Sequence, residues 1–292
     1  MIAFLLLYMA YPVVSTAKKR TILVFGDSFG SVGPTWRVVR DVFAKQQVPA
    51  EVKSTAIGGT SACQWAGTDG GSGHSVPSAG PNALVDAARR EFPDLSDGPD
   101  FVWFTLGSND LAWNHTMHQC MRTSDDSDKA MSCVDAANQR ILNCSTTLLN
   151  NLFEAFPKAK VMQPGYDIPC TNAACRYSFD SAFFGGYCQQ DATCMTKMAI
   201  AWQQMYFSNL TLYYSSHPGY TNLNLIGTAQ KAAGVEGADV GKPVIGKGAN
   251  CLWEVLCVHP MYGTKAGTLW GEAMWDLYFS RHINISVEDV IV

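Results

Sequence analysis

Apolar residues fall in short unbroken runs divided by stretches of helical periodicity. Thr21 to Phe25 (TILVF) is apolar and β-branched at consecutive positions and stops at Gly26, as a strand covered on both faces does. Phe101 to Leu106 (FVWFTL) repeats the pattern and stops at Gly107. Shorter runs at Val52 to Ile57, Lys160 to Met162 and Tyr220 to Ile226 predict three further strands. Between them, apolar positions spaced three and four apart predict helices over Trp36 to Ala44, Pro81 to Glu91, Val134 to Phe156, Met195 to Leu212 and Gly263 to Arg281. Strands alternating with helices imply a mostly parallel sheet of about five strands, covered on both faces in a single three-layer α/β/α domain. The segment Tyr166 to Cys194 has four cysteines and little periodicity, and reads as a disulfide-pinned insertion over one end of the sheet.

The amino terminus departs from this pattern. Met1 to Ala17 is almost wholly apolar and ends in Ser15-Thr16-Ala17, small residues that suit signal peptidase. It is shorter than the ~20 residues a membrane span requires and contains Pro12. The expectation is a cleaved signal peptide over 1–17, a globular domain over 18–292 and no stable membrane anchor. Ten cysteines without a C-x-x-C pair point to disulfides rather than zinc, with Cys170–Cys175, Cys188–Cys194 and Cys251–Cys257 expected as local pairs because each closes a short loop. Sequons at Asn114, Asn143, Asn209 and Asn284 agree with a secreted or lumenal glycoprotein.

The chain of 292 residues is 47% hydrophobic and can bury a sizeable core. Its 21 basic and 25 acidic residues leave a formal charge of -4. There is no basic cluster to displace counterions, so a nucleic-acid partner is not expected.

In a parallel sheet, ligands gather beyond the carboxyl ends of the strands. Those ends carry Gly26-Asp27-Ser28-Phe29-Gly30, Gly58-Gly59-Thr60-Ser61 and Gly107-Ser108-Asn109-Asp110, and His259-Pro260 follows near the C-terminus. A serine on a tight strand-to-helix turn presents its hydroxyl, and a histidine can take its proton. A backbone N–H at Gly59 and the Asn109 amide suit a developing oxyanion. Acyl transfer is the chemistry these groups fit. Gly26 to Gly30 also spells G-x-S-x-G, the nucleophile elbow of α/β-hydrolases, but that fold needs an oxyanion loop upstream of the serine, and Ser28 follows the first strand.

These four blocks, in this order, resemble the SGNH hydrolase superfamily, the GDSL esterases and lipases. The resemblance runs from about Thr21 to Trp275. It implies Ser28 as nucleophile and oxyanion donor, Gly59 and Asn109 as the other oxyanion donors, and His259 as general base, with no cofactor and no metal. Two positions depart from the pattern: Phe29 stands at the end of the GDSL block, and Leu256 stands where an aspartate precedes the histidine. The third member is then Glu254 or a backbone carbonyl at Leu256. The implied activity is that of a secreted serine esterase acting on an ester substrate, a glycan ester or a lipid. A carbohydrate O-acyltransferase and a catalytically silent carbohydrate-binding protein are the alternatives on the same fold.

The remaining features point elsewhere. Trp65, Trp113 and Tyr166 follow strand ends and read as core or rim aromatics before substrate platforms. Asp125, Asp126 and Asp128 lack calcium-loop spacing and read as a solvated loop. His115 and His118 read as surface residues. The glycines of Gly67 to Gly73 lack the lysine of a phosphate cradle.

Overall fold

A computed structural model describes residues 18–32, 35–68, 75–112, 116–122, 126–167, 173–215, 217–247, 259 and 262–283. The expected signal peptide, Met1 to Ala17, lies outside the described residues. Five parallel strands, β1 (Arg20–Gly26), β2 (Ala50–Ser54), β3 (Phe101–Thr105), β4 (Lys160–Pro164) and β5 (Tyr220–Leu223), form one sheet in the order β2-β1-β3-β4-β5. The chain leaves β1 for β2 on one side and returns to β3 on the other. In parallel sheets ligands gather at such a reversal, which here lies at the carboxyl ends of β1 and β3.

The two central strands, β1 and β3, are the two longest apolar runs, and their side chains alternate between two helical layers. Phe25 faces Trp65 at 4.5 Å between ring centroids and stacks with Phe104 at 6.1 Å. On this side lie α3 (Ala62–Trp65), α4 (Ala83–Glu91), the 29-residue α7 (Ser127–Ala155) and α9 (Ala192–Tyr213). On the other side, Phe101 meets Tyr278 and Phe279, while Phe43 meets Trp275 and Phe279. That layer is built from α1 (Ser28–Ser31), α2 (Thr35–Lys45), α11 (Lys265–Met274), a π-helical turn (Trp275–Phe279) and α12 (Ser280–His282). Short helices α5 (Ser108–Ala112), α6 (Thr116–Arg122) and α10 (Thr228–Ala232) follow strand ends or loops. Among the described residues no helix is long and apolar enough to cross a membrane.

Several boundaries differ from the sequence reading. The second strand ends at Ser54 and the fifth at Leu223. Both are edge strands, where one open side weakens the apolar signal. The expected loop insertion over Tyr166 to Cys194 instead holds α8 (Ala173–Phe184) and the start of α9. Its helix was hidden because Asp180 is buried in it, accepting hydrogen bonds from the backbone N–H groups of Cys188 and Gln190 at 3.1 and 2.8 Å. A polar residue at a buried position breaks the periodicity that marks a helix. The acidic stretch is likewise more than a solvated loop, since Asp126 caps α7 by accepting from Asp128 N–H at 2.9 Å.

Disulfides join Cys63 to Cys144, Cys120 to Cys133 and Cys188 to Cys194. The first ties α3 to α7, and the last is one of the expected local pairs. Cys175 is also disulfide-bonded. The other local pairs expected from spacing involve Cys170, Cys251 and Cys257, which lie outside the described residues. Of the sequons, Asn143 is exposed on α7 and Asn209 half-buried on α9.

Candidate active site

The turn that carries Ser28 is fixed by backbone contact. Gly26 has φ +151°, and a Cβ there would collide with the carbonyl of Thr105 on β3. Only glycine lets the two strands end so close together. Asp27 N–H then donates to that carbonyl at 2.9 Å. The Asp27 side chain caps α1, accepting from Phe29 N–H at 3.0 Å, so Ser28 begins the helix at the sheet edge.

His259 is 5% exposed, and its Nε2 lies 2.6 Å from Ser28 Oγ. Two residues 231 positions apart in sequence are thus in hydrogen-bond contact. The imidazole also packs on Phe29, with centroids 4.8 Å apart. Phe29 rests in turn on Tyr166 at 4.8 Å and Trp270 at 5.5 Å. The phenylalanine that ends the GDSF block is therefore the floor under the histidine.

The Gly59 turn is held against this edge. Ile57 N–H donates to the Gly26 carbonyl at 2.9 Å, and Thr60 N–H closes the turn onto Ile57 at 3.3 Å. Gly59 sits within it at φ +79°, a left-handed conformation that favours glycine. A Cβ placed on neighbouring Gly58 would lie 3.8 Å from Ser28 Cβ, so the turn faces the serine directly. Asn109 is buried and donates one amide hydrogen to the Thr60 carbonyl at 2.9 Å. An amide nitrogen carries two hydrogens, so this bond orients the group without exhausting it. Asp110 accepts from Ala62 and Cys63 N–H at 2.7 and 3.0 Å, holding the start of α3. Ser28, Gly59, Asn109 and His259 are thus assembled at one edge of the sheet. Glu254 and Leu256, the candidates for orienting the imidazole, lie outside the described residues.

Two carboxyls beneath the site are fully buried. Burial pushes Asp27 up to about 7, against the donors Tyr166, Phe29 and Ser108, which favour its charged form. Asp110 is pushed up to about 6 for the same reason, opposed by its two backbone donors. Burial and the neighbouring Asp27 also hold the Tyr166 phenol well above its ordinary value.

Two of the three aromatic residues singled out from sequence belong to the core. Trp65 is 1% exposed and donates from Nε1 to Thr60 Oγ1 at 2.9 Å. Tyr166 is 3% exposed and bonded to Asp27. Trp113, His115 and Asp125 lie outside the described residues, and His118 Nε2 lies 3.4 Å from Arg122. Among the described residues, no group of three or more histidine, cysteine or acidic side chains is placed to hold a metal ion. Sequence reasoning missed Phe29, Ser108 and Asp110 as supports. The departure at Phe29 was a visible signal, whereas nothing local to Ser108 marked its partner.

A scan against protein-family models found no match, and a search of curated proteins found none. Among solved structures, a lipase from a goat rumen metagenome superposes with a TM-score of 0.53 at 13% identity, covering 90% of this chain and 100% of that one. An extracellular lipase from Streptomyces rimosus aligns with a TM-score of 0.49 at 13% identity, over 87% of this chain and 99% of that one. The fold is the SGNH hydrolase fold.

Proposed function

We propose that this protein is a serine ester hydrolase, with Ser28 as nucleophile and His259 as general base. The observation that carries the reading is the 2.6 Å contact between Ser28 Oγ and His259 Nε2, just beyond the carboxyl end of β1. In this mechanism Nε2 takes the hydroxyl proton as Oγ attacks the ester carbonyl. The negative charge that develops on the carbonyl oxygen meets the N–H groups of Ser28 and Gly59 and the second amide hydrogen of Asn109. His259 then gives its proton to the leaving alcohol, and water admitted to the acyl-enzyme reverses the sequence. Apart from the attacking water, all steps use backbone and side-chain groups of this chain, and none calls for a cofactor.

The finer reading is a secreted enzyme acting on short acyl groups carried by glycans or lipids. The disulfides and the apolar amino terminus support the setting, and the absence of a long apolar lid segment in the sequence supports short acyl chains. A panel of acetyl, butyryl and long-chain esters tests the preference. A fluorophosphonate tests the mechanism, because it phosphonylates an activated serine. Labelling of the wild type and none of Ser28→Ala, with ester turnover lost in parallel, is expected. Undiminished turnover in Ser28→Ala would remove the nucleophile from the scheme.

A further inference from the structure

The end of β4 contributes nothing to the four blocks and yet supports three of them. After β4 come Tyr166 and Asp167, both buried. The Tyr166 hydroxyl donates to Asp27 Oδ2 at 2.6 Å and accepts from Ser108 N–H at 3.3 Å. Ser108 Oγ donates to the same Oδ2 at 3.2 Å, while Asp27 Oδ1 accepts from Phe29 N–H at 3.0 Å. The pair Asp27–Tyr166 therefore binds the turn before Ser28 to the turn before Asn109. Nucleophile and oxyanion donor each sit one residue beyond a member of this network.

The same two residues also reach the histidine. The Tyr166 ring meets Phe29 edge-on, and Phe29 carries the His259 ring. Asp167 Oδ2 accepts from Trp270 Nε1 at 3.2 Å, and Trp270 packs on Phe29 from another side. Asp167 is itself fixed by Gly227 and Ala229 N–H at 2.8 and 2.7 Å. The end of β4 thus touches the supports of Ser28, Asn109 and His259, and both its side chains stay buried.

We infer that Tyr166 is a positioning residue, whose hydroxyl, through Asp27 and Ser108, keeps Ser28 and the Asn109 amide in the mutual register that the tetrahedral intermediate requires. The inference rests on the hydrolase reading above. Its hydroxyl works where small displacements are expensive, since a misplacement of ~1 Å can cost about a hundredfold in rate. Losing it leaves Ser28, Gly59, Asn109 and His259 all present, so ground-state binding persists while the aligned transition state is lost.

The test compares wild type, Ser28→Ala, Tyr166→Phe, Asp27→Asn and the double variant Tyr166→Phe/Asp27→Asn on one soluble ester, with melting temperature recorded for each. Tyr166→Phe removes the hydroxyl and keeps the ring against Phe29. The expected result is a kcat lower by about tenfold to a hundredfold with KM within threefold, and fluorophosphonate labelling slowed in parallel. The double variant should lose no more than the worse single variant, because both act through one contact. A lower melting temperature with wild-type kcat would make Tyr166 a core residue only and overturn the inference. So would a loss confined to KM. If Tyr166→Phe does not accumulate, Ser108→Ala deletes the other side-chain donor to Oδ2 and is judged by the same criteria. An inactive, unlabelled wild type would overturn the hydrolase reading, and the positioning role with it.

Discussion

Asn109 illustrates how one side chain divides its two hydrogens. One is committed to Thr60, and in the proposed mechanism the other meets the oxyanion. Asn109→Ala is expected to lower kcat by roughly a hundredfold to a thousandfold with little change in KM, measured by steady-state kinetics. Asp27 offers a different measurement, in thermal or urea denaturation across pH. Its folded value of about 7 exceeds the ordinary 3.8, so the folded protein holds this proton more tightly than the unfolded chain. The stability it contributes is full below about pH 4 and is lost as pH rises through 7. Against Asp27→Asn, which does not titrate, the wild type should therefore lose up to about 4 kcal/mol over that range. A difference that stays constant with pH would refute the raised value. Ser28, Gly59 and Asn109 were legible because each lies within two residues of a glycine at or after a strand end, whereas His259 was legible only from the order of the blocks. The bond from Tyr166 to Asp27 was not, because 139 residues separate its ends and neither has a local pattern that names the other.

Helix α3 shows what a short element can depend on. It has four residues, too few to stabilise itself, and its first N–H groups are held by the carboxylate of Asp110 from the turn of another block. In Asp110→Asn the carboxamide has a single acceptor oxygen, and its NH2 would confront a buried N–H. A loss of about 1–3 kcal/mol is expected in urea denaturation, with kcat reduced because the Gly59 turn precedes this helix directly. Unchanged stability would show that the turn holds α3 by other means. Elements of this kind, with α5 and α6, escaped the sequence reading because four to seven residues cannot display a helical period. The central strands β1 and β3 were read correctly for the opposite reason. Burial on both faces makes every position apolar, and that signal needs only five residues to be clear.

The sheet order follows from one reversal of direction after β2, and that reversal places the serine turn beside the asparagine turn. The alternation of strands and helices made a parallel sheet legible, but not which strands neighbour one another, since hydrogen-bond partners across a sheet leave no trace in composition. Disulfide partners were legible only when close in sequence, as for Cys188 and Cys194. The Cys63–Cys144 bond, 81 residues apart, depends on α3 meeting α7 in space.

That bond closes a covalent ring which contains Asn109 and excludes Ser28 and His259. A protease that cuts once between residues 64 and 143 would therefore cleave the chain without releasing either piece. The clipped protein should migrate as one species without reductant and as two with it, and should keep turning over ester until the sulfurs part. Fragments that separate unreduced would show that the ring is open.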